Sequence, residues 1–535
     1  MKHLLPARYL LTMLLACFMA LGAQADALKY FVSAKTGNDS RSGTSWNSAF
    51  KTLRAALQTA ETNANPEVEI YLAEGEYNVG EKNAISYNQK YQDRGSPGAR
   101  NAFYVLTKPG HKLSLMGGYP TPGAQTPPTA TCNSNPKRHG TTCVSNVEMK
   151  SSVFRTTNHN QSLIMHGISI DSKNFVGGLA DGALITFDNN NRGDNPYLEM
   201  FDCSIGYYKS SNGGAIFFYG NMKNPKVKIE RCEILQGDRV AATGGGFLIF
   251  SIAHAQTNVQ IDMKHVTFHD IRHLGTSERF ALLGASNAKP TDGTEDKSYV
   301  HLDHVQVNRN LGGTAGQQIT TFYIQSFKDV KITNSIFRNT TAGLGGAFRV
   351  LACRDVLFEN NQFHNCASGD AGGAVSVQRG ASAYIPDGAG RRQIKFINNE
   401  FEANLCRNAG GALHVQDEDL NAPVDITVDN CNFKSNRVRA GQGGALYIAS
   451  RGNVKVTNSV FCNNIADKFG GALRVANETE SLLVEGCYFE NNSCDADANA
   501  LSIGIQLCKF NVKNCVFYHN HTTSTIGKDN GGAVN

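Results

Sequence analysis

A two-part motif runs through the second half of the chain and restricts its folding more than any other feature. A tetrapeptide opens on phenylalanine and closes on asparagine, and Gly-Gly-Ala follows a few residues later. It reads FEAN at 401–404 with GGAL at 410–413, FKSN at 433–436 with GGAL at 443–446, and FCNN at 461–464 with GGAL at 470–473. Phe337, Phe363, Phe401, Phe433, Phe461, Phe489 and Phe517 stand 26, 38, 32, 28, 28 and 28 residues apart. A period in the high twenties, rich in β-branched residues, Asn and Gly and without helical periodicity, fits one coil of a parallel β-solenoid. The expected fold is all-β, a single-stranded right-handed parallel β-helix. A solenoid buries one continuous core along its axis, so the 535 residues are expected to form one elongated domain with function on its flanks.

Aligned on the turn position, the coils carry Ile170, Ile205, Ile234, Phe268, Val307 and then the seven phenylalanines. This gives about twelve coils, or roughly 55–60 Å at about 4.8 Å per coil. Three residues before the turn stand Asn334, Asn360, Asn398, Asn430, Asn458 and Asn514, broken once by Gly486. This column reads as an asparagine ladder whose amides bond along the axis and serve turn backbone groups otherwise buried unpaired. Asn404, Asn436, Asn464, Asn492 and Asn520 form a second column. The paired glycines Gly410/Gly411, Gly443/Gly444 and Gly470/Gly471 are expected to allow positive φ and close approach of successive coils, the following Ala filling an interior corner.

Upstream, residues 28–33 read as a strand and 47–61 as a helix with Phe50, Leu53, Leu57 and Ala60 on one face, a cap over the exposed sheet edge. Strands near 68–73, 103–106 and 113–117 follow, with a polar insertion at 80–101 and a Pro/Gly-rich loop at 119–140. The repeats are expected from near Ile164, dividing the chain into 1–25, 26–160 (cap and first coils) and 161–535. Length variation at 221–226, 284–298, 379–391 and 416–424 falls at one turn and so projects from one side, often the binding face. The chain stops at Gly531-Gly532-Ala533-Val534-Asn535, in mid-coil. Two expectations follow: a truncated sequence, which is favoured, or an open edge that meets another chain end to end.

Residues 1–25 carry Lys2 and Arg8, an apolar stretch from Tyr9 to Leu21 and Ala23-Gln24-Ala25, the pattern of a secretory signal. A rival reading takes Leu14-Leu15-Ala16-Cys17 as a lipobox. No later segment has the apolar length of a membrane span. The charge of +5, from 51 basic and 46 acidic residues without a basic cluster, gives no pointer to nucleic acid. Beyond Cys17 there are 13 cysteines, an odd number, so at least one thiol stays free or pairs between chains. Cys132 and Cys143 flank one loop and are the expected disulfide. Cys203, Cys232, Cys431, Cys487 and Cys515 share one repeat position, where small buried residues are favoured over disulfides. No cysteine spacing matches a zinc site.

The motifs resemble those of the polymorphic outer membrane protein repeat family, GGA followed by Ile, Leu or Val together with FxxN. FxxN stands at 358–361, 396–399, 401–404, 433–436, 461–464, 489–492 and 517–520; GGA stands at 372–375, 410–413, 443–446, 470–473 and 531–534, with Gly213 preceding a GAI at 214–216. Residues 36–57 also resemble the opening of exported bacterial proteins with a pectin-lyase-like β-helix. The resemblance implies a cell-surface, outer-membrane or secreted β-helix, often an adhesin. The chain carries no C-terminal β-barrel translocator or sorting domain, so the mode of attachment stays open.

Three functions follow as expectations. The favoured one is a non-catalytic adhesin that contacts a host-cell surface or a glycan through the loop-bearing side. Arg192-Gly193-Asp194, expected in the polar loop DNNNRGDNP, matches an integrin-binding tripeptide, although chance supplies such a tripeptide readily. The alternative is a polysaccharide lyase or glycoside hydrolase, for which Asp303, His304 and Arg309 are the candidate catalytic residues. His265 and His304 share the asparagine column, with His269 and His273 nearby, and the favoured reading makes them turn residues in place of Asn. The third is a structural role in an envelope layer. No cofactor is expected, with Ca²⁺ at the Asn/Asp-rich turns left open.

Overall fold

Each coil lays down up to four short strands, and each strand pairs in parallel with its counterpart in the next coil. The computed structural model describes residues 26–79, 102–106, 108–120, 142–145, 152–156, 160–171, 184–206, 214–235, 246–251, 254–269, 271–273, 281–312, 320–380, 383–388, 390–417, 423–476, 479–496, 498–504, 509–522 and 533–535. In chain order within a coil the sheets are S1 (15 strands), S2 (14 strands, carrying the turn-position residues), S3 (9 strands of two or three residues) and S4 (14 strands, after Gly-Gly-Ala). Their parallel stacking, with the right-handed crossovers that such connections adopt, makes a right-handed parallel β-helix. All twelve expected turn residues lie in S2, and two earlier strands, Gly75–Asn78 and Thr142–Ser145, add Tyr77 and Val144 to the same column. The sequence count therefore fell two coils short. Long intervening segments separate these first coils and hide their period.

The Phe-x-x-Asn motif is a corner, and each position has its own physical reason. The phenylalanines stack along the axis at ring-centroid distances of 4.8–5.1 Å from Phe337 to Phe517, the spacing of paired strands. The third position turns the chain with φ of 50–57° at Ala403, Ser435, Asn463, Asn491 and His519. The asparagine then points inward. Asn404, Asn436, Asn464 and Asn492 are fully buried, and the Oδ1 of Asn436 accepts from the backbone N–H of Asn404 (3.0 Å) and from its Nδ2 (2.9 Å). Its own Nδ2 donates to the Phe401 carbonyl at 3.0 Å.

This reassigns the work expected of the first asparagine column. Asn334, Asn360, Asn398, Asn430, Asn458 and Asn514 are exposed, and what they share is φ of 50–57°, a left-handed conformation that Asn tolerates. Gly486, the break in the column, has φ 64°, and His265 and His304 both have φ 53°. Their amides do bond along the axis, as from Asn430 Nδ2 to Asn398 Oδ1 (2.7 Å), but in solvent. The buried backbone is served instead by the Asn404 column and by Asn361 and Asn399. A further ladder, exposed at Asn160, Asn195 and Asn224 and buried at Asn258, turns the N-terminal coils from S4 into S1 through Nδ2–Oδ1 bonds of 2.9–3.0 Å.

Within each glycine pair the two expected roles, positive φ and close approach, fall to different residues. Only the first adopts positive φ, at +65° in Gly410, +66° in Gly443 and +62° in Gly470. Gly411, Gly444 and Gly471 lie outside the left-handed region, and what requires glycine there is the closeness of the next coil. A Cβ on Gly411 or Gly444 would stand 1.9 Å from the carbonyl oxygen of Gly444 or Gly471 respectively, and one on Gly471 would stand 2.1 Å from that of Asn499. Ala412, Ala445 and Ala472 after the pairs are fully buried. The described cysteines are thiols; Cys203, Cys232, Cys431 and Cys487 are buried beside the left-handed turn residue. Cys132 and the Cys143 side chain lie outside the described residues.

The N-terminal helix is shorter than expected. A 3₁₀ turn, Trp46–Ser48, precedes α1 (Leu53–Thr62), and Phe50 packs between them as a bridge to Val32. Leu53, Ala56, Leu57 and Ala60 are buried against the first strand, Leu28–Val32. Tyr104 Oη donates to Glu61 (2.6 Å) and Lys108 Nζ to the carbonyls of Glu61 (2.8 Å) and Asn63 (2.6 Å), fixing the helix C-terminus to the first S4 strand and the turn after it. Among the described residues no helix is long and apolar enough to cross a membrane.

Candidate functional site

Asp303 ends the S1 strand Tyr299–Asp303, and His304 follows in the left-handed turn. The Asp303 carboxylate accepts from Thr333 Oγ1 (2.8 Å) and Asn334 Nδ2 (2.8 Å) and pairs with His304 Nδ1 (3.0 Å). Burial opposes its ionisation, but these hydrogen bonds outweigh burial and hold its pKa at about 2. Asp303 is thus engaged at the head of the exposed asparagine column. Arg309 lies beyond the next strand, Gln306–Val307, at the following corner of the coil. Arg192-Gly193-Asp194 is the end of the S4 strand Ile185–Asp194 rather than a free loop, with Gly193 opposite Met222 and Asp194 opposite Lys223.

Next to Asp303, the outer face of S1 carries a closed ionic network. His301 Nε2 meets Asp329 Oδ2 at 2.9 Å and its Nδ1 lies 3.7 Å from Asp262. Lys331 Nζ also holds Asp329 (2.6 Å), and Tyr299 Oη donates to Asp262 (2.8 Å) with its ring stacked on His301 at 4.4 Å. Each carboxylate here already has a cationic or phenolic partner.

The outer face of S4 differs. The ladder register sets Tyr323, Arg349, Ser376, His414, Tyr447, Arg474 and Ser502 in one row along the axis, one per coil. The Arg349 guanidinium lies 5.6 Å from the Tyr323 ring centroid, and Arg474 lies 5.3 Å from that of Phe469. Ser376 Oγ and His414 Nδ1 are 3.1 Å apart, and the His414 ring stacks on Tyr447 at 5.4 Å. Burial pushes His414 down to about 4, so at neutral pH this pair is an uncharged hydrogen bond. Ser376 and His414 form a buried floor, whereas Arg349, Tyr447 and Arg474 are half-buried and reach solvent.

Two residues along each strand runs a parallel row of Gln325, Leu351, Gln378 and Gln416, in which Gln378 and Gln416 are neighbouring amides. The insertion corner borders this face: Lys289 pairs with Asp387 (3.9 Å) between two insertions, and Arg391 reaches Asp425 (3.1 Å) and Glu480 (2.9 Å). The row was missed in the sequence although its signal is there. Arg349, Ser376, His414, Tyr447 and Arg474 are the one freely varying position in Gly-Gly-Ala-[Phe/Leu/Val]-x-[Val/Ile]. Among the described residues a cavity of about 240 Å³ lies between α1 and Tyr77, lined by Lys51 and Arg54, but the amides of Lys51 and Thr52 at its edge already bond the Asp39 carboxylate (2.8 Å each).

No family model matches the chain, and no curated protein is significantly similar to it. Among solved structures the crystal structure of pectate lyase Pel9A is similar, at 12% identity over 78% of each chain with a TM-score of 0.31. The β-helix assignment rests on the parallel strand register of this chain itself.

Proposed function

We propose that this chain is an exported, non-catalytic surface or secreted β-helix that binds an acidic glycan along the outer face of S4. The observation that carries the reading is the Tyr323–Ser502 row, in which Arg349, Tyr447 and Arg474 reach solvent at coil intervals, with Gln378 and Gln416 paired beside it on adjacent coils. Arginine presents a fork of donors that matches a carboxylate or sulfate, and aromatic rings offer flat apolar surface beside it. The coil rise of about 4.8 Å is close to the advance of one pyranose unit in an extended chain, so successive coils can address successive sugars. Export is supported by the pattern of residues 1–25. The absence of turnover is supported by the engagement of Asp303 in turn hydrogen bonds, of Asp262 by the Tyr299 hydroxyl and of Asp329 by Lys331.

The test is calorimetric titration with polygalacturonate and alginate oligomers, with uncharged oligosaccharides as control, while absorbance of unsaturated uronate is followed in parallel. Saturable binding to the acidic oligomers, weakened at least about tenfold in Arg349→Ala and Arg474→Ala, is expected. No binding, or binding indifferent to both variants, would refute the site. Release of unsaturated product would replace the binding reading with that of a lyase.

A further inference from the structure

On the outer face of S2, two adjacent coils bring together three metal-ligating side chains that are remote from S4. The strands Gln362–His364 and Glu400–Glu402 pair in parallel with Gln362 opposite Glu400 and His364 opposite Glu402. One ligand atom each from His364, Glu400 and Glu402 lies within 4.8 Å of the others, the only such group of three found among the described residues. His364 Nδ1 and Glu402 Oε2 are 3.4 Å apart. That separation equals the edge of a tetrahedron with metal–ligand bonds of about 2.1 Å. All three side chains are half-buried, so water retains access.

We propose that His364, Glu400 and Glu402 form a binding site for a divalent first-row metal of the Zn²⁺ type, with one or more positions left to water. The donor set decides the class of ion. One imidazole with two carboxylates suits Zn²⁺, whereas Ca²⁺ takes six to eight oxygens and finds too few here. The scaffold holds the site ready: Phe401, between Glu400 and Glu402, and Phe363, just before His364, are fully buried in the axial stack with their rings 4.9 Å apart. The ligands therefore stand on backbone that core packing fixes. Lys434 Nζ binds the other Glu402 oxygen at 3.0 Å, which keeps that carboxylate ionised but competes with the metal for its charge.

The experiment is titration of the purified, metal-stripped chain with Zn²⁺ alone, by calorimetry, in wild type and variants. One Zn²⁺ per chain is expected, with affinity reduced at least about tenfold in His364→Ala and Glu400→Gln. His301→Ala, in the separate S1 network, should leave it unchanged. Lys434→Met should tighten binding by removing the competing ammonium, an effect that a purely structural His–Glu pair would not produce. Co²⁺ in place of Zn²⁺ should give the visible absorption of a tetrahedral or five-coordinate site. Wild type taking up no Zn²⁺, or Zn²⁺ bound equally well by His364→Ala and Glu400→Gln, would overturn the proposal. Should His364→Ala fail to fold, Glu400→Gln carries the test, since it keeps side-chain volume at a half-buried position.

Discussion

At the residue scale, asparagine serves two ends that look identical in the sequence. Asn430 sits at φ 50° with its side chain in solvent, so its conformational tolerance is what the site needs. Asn436 is fully buried, and its Oδ1 and Nδ2 serve atoms of Asn404, Phe401 and Asn464. Asn430→Gly should therefore leave stability within about 0.5 kcal/mol, because glycine adopts the same φ freely. Asn436→Ala should cost about 1–3 kcal/mol, the penalty of buried backbone groups left unpaired. Urea unfolding of the two variants checks this; equal losses would mean that both columns act in the same way. The sequence marked both columns but could not separate them. The left-handed residue itself faces solvent, as Asn430 and Ser435 do, and the residue after it turns inward, as Asn436 does.

At the scale of elements, α1 shows what local sequence can and cannot specify. Its buried face, Leu53, Leu57 and Ala60, was legible from spacing, but its start was not. Asp39, 13 residues upstream of Thr52, supplies the acceptor that fixes the first turn, through bonds to the N–H groups of Lys51 and Thr52 (2.8 Å each) and to Thr52 Oγ1 (2.9 Å). Asp39→Ala should lower stability by about 1 kcal/mol, as loss of a helix cap does. It should also raise aggregation on warming, because a frayed α1 uncovers the edge at Leu28–Val32. Thermal unfolding followed by light scattering measures both. A variant that melts and scatters like wild type would remove the capping role. The S4 row shows the complementary case. Gly-Gly-Ala announces the strand, but the varying residue after it reads as noise until the ladder aligns Arg349 with Ser376, His414 and Tyr447.

At the scale of the whole molecule, two histidines buried far apart along the solenoid make stability sensitive to pH. His111 and His414 are buried, and desolvation lowers each from the ordinary histidine value to about 4. In the unfolded chain both take up a proton near pH 6.5, so the unfolded state binds more protons between about pH 6.5 and 4. Stability should be full above that window and fall through it as the pH drops, by up to roughly 1.4 kcal/mol per pH unit for each group. Urea midpoints at pH 7.5 and 5 test this. His414→Gln should flatten the slope, and a midpoint unchanged between the two pH values would refute it. The sequence by itself determined the period, the turn-position phenylalanines and the asparagine and glycine columns at the corners, because these obey backbone sterics and burial within a single coil. Only the tertiary structure decided which outward side chains meet. Coils of 26 to 39 residues from Ile170 onward scramble sequence separation, and the parallel ladder alone places His364 beside Glu402 and Arg349 beside Tyr323.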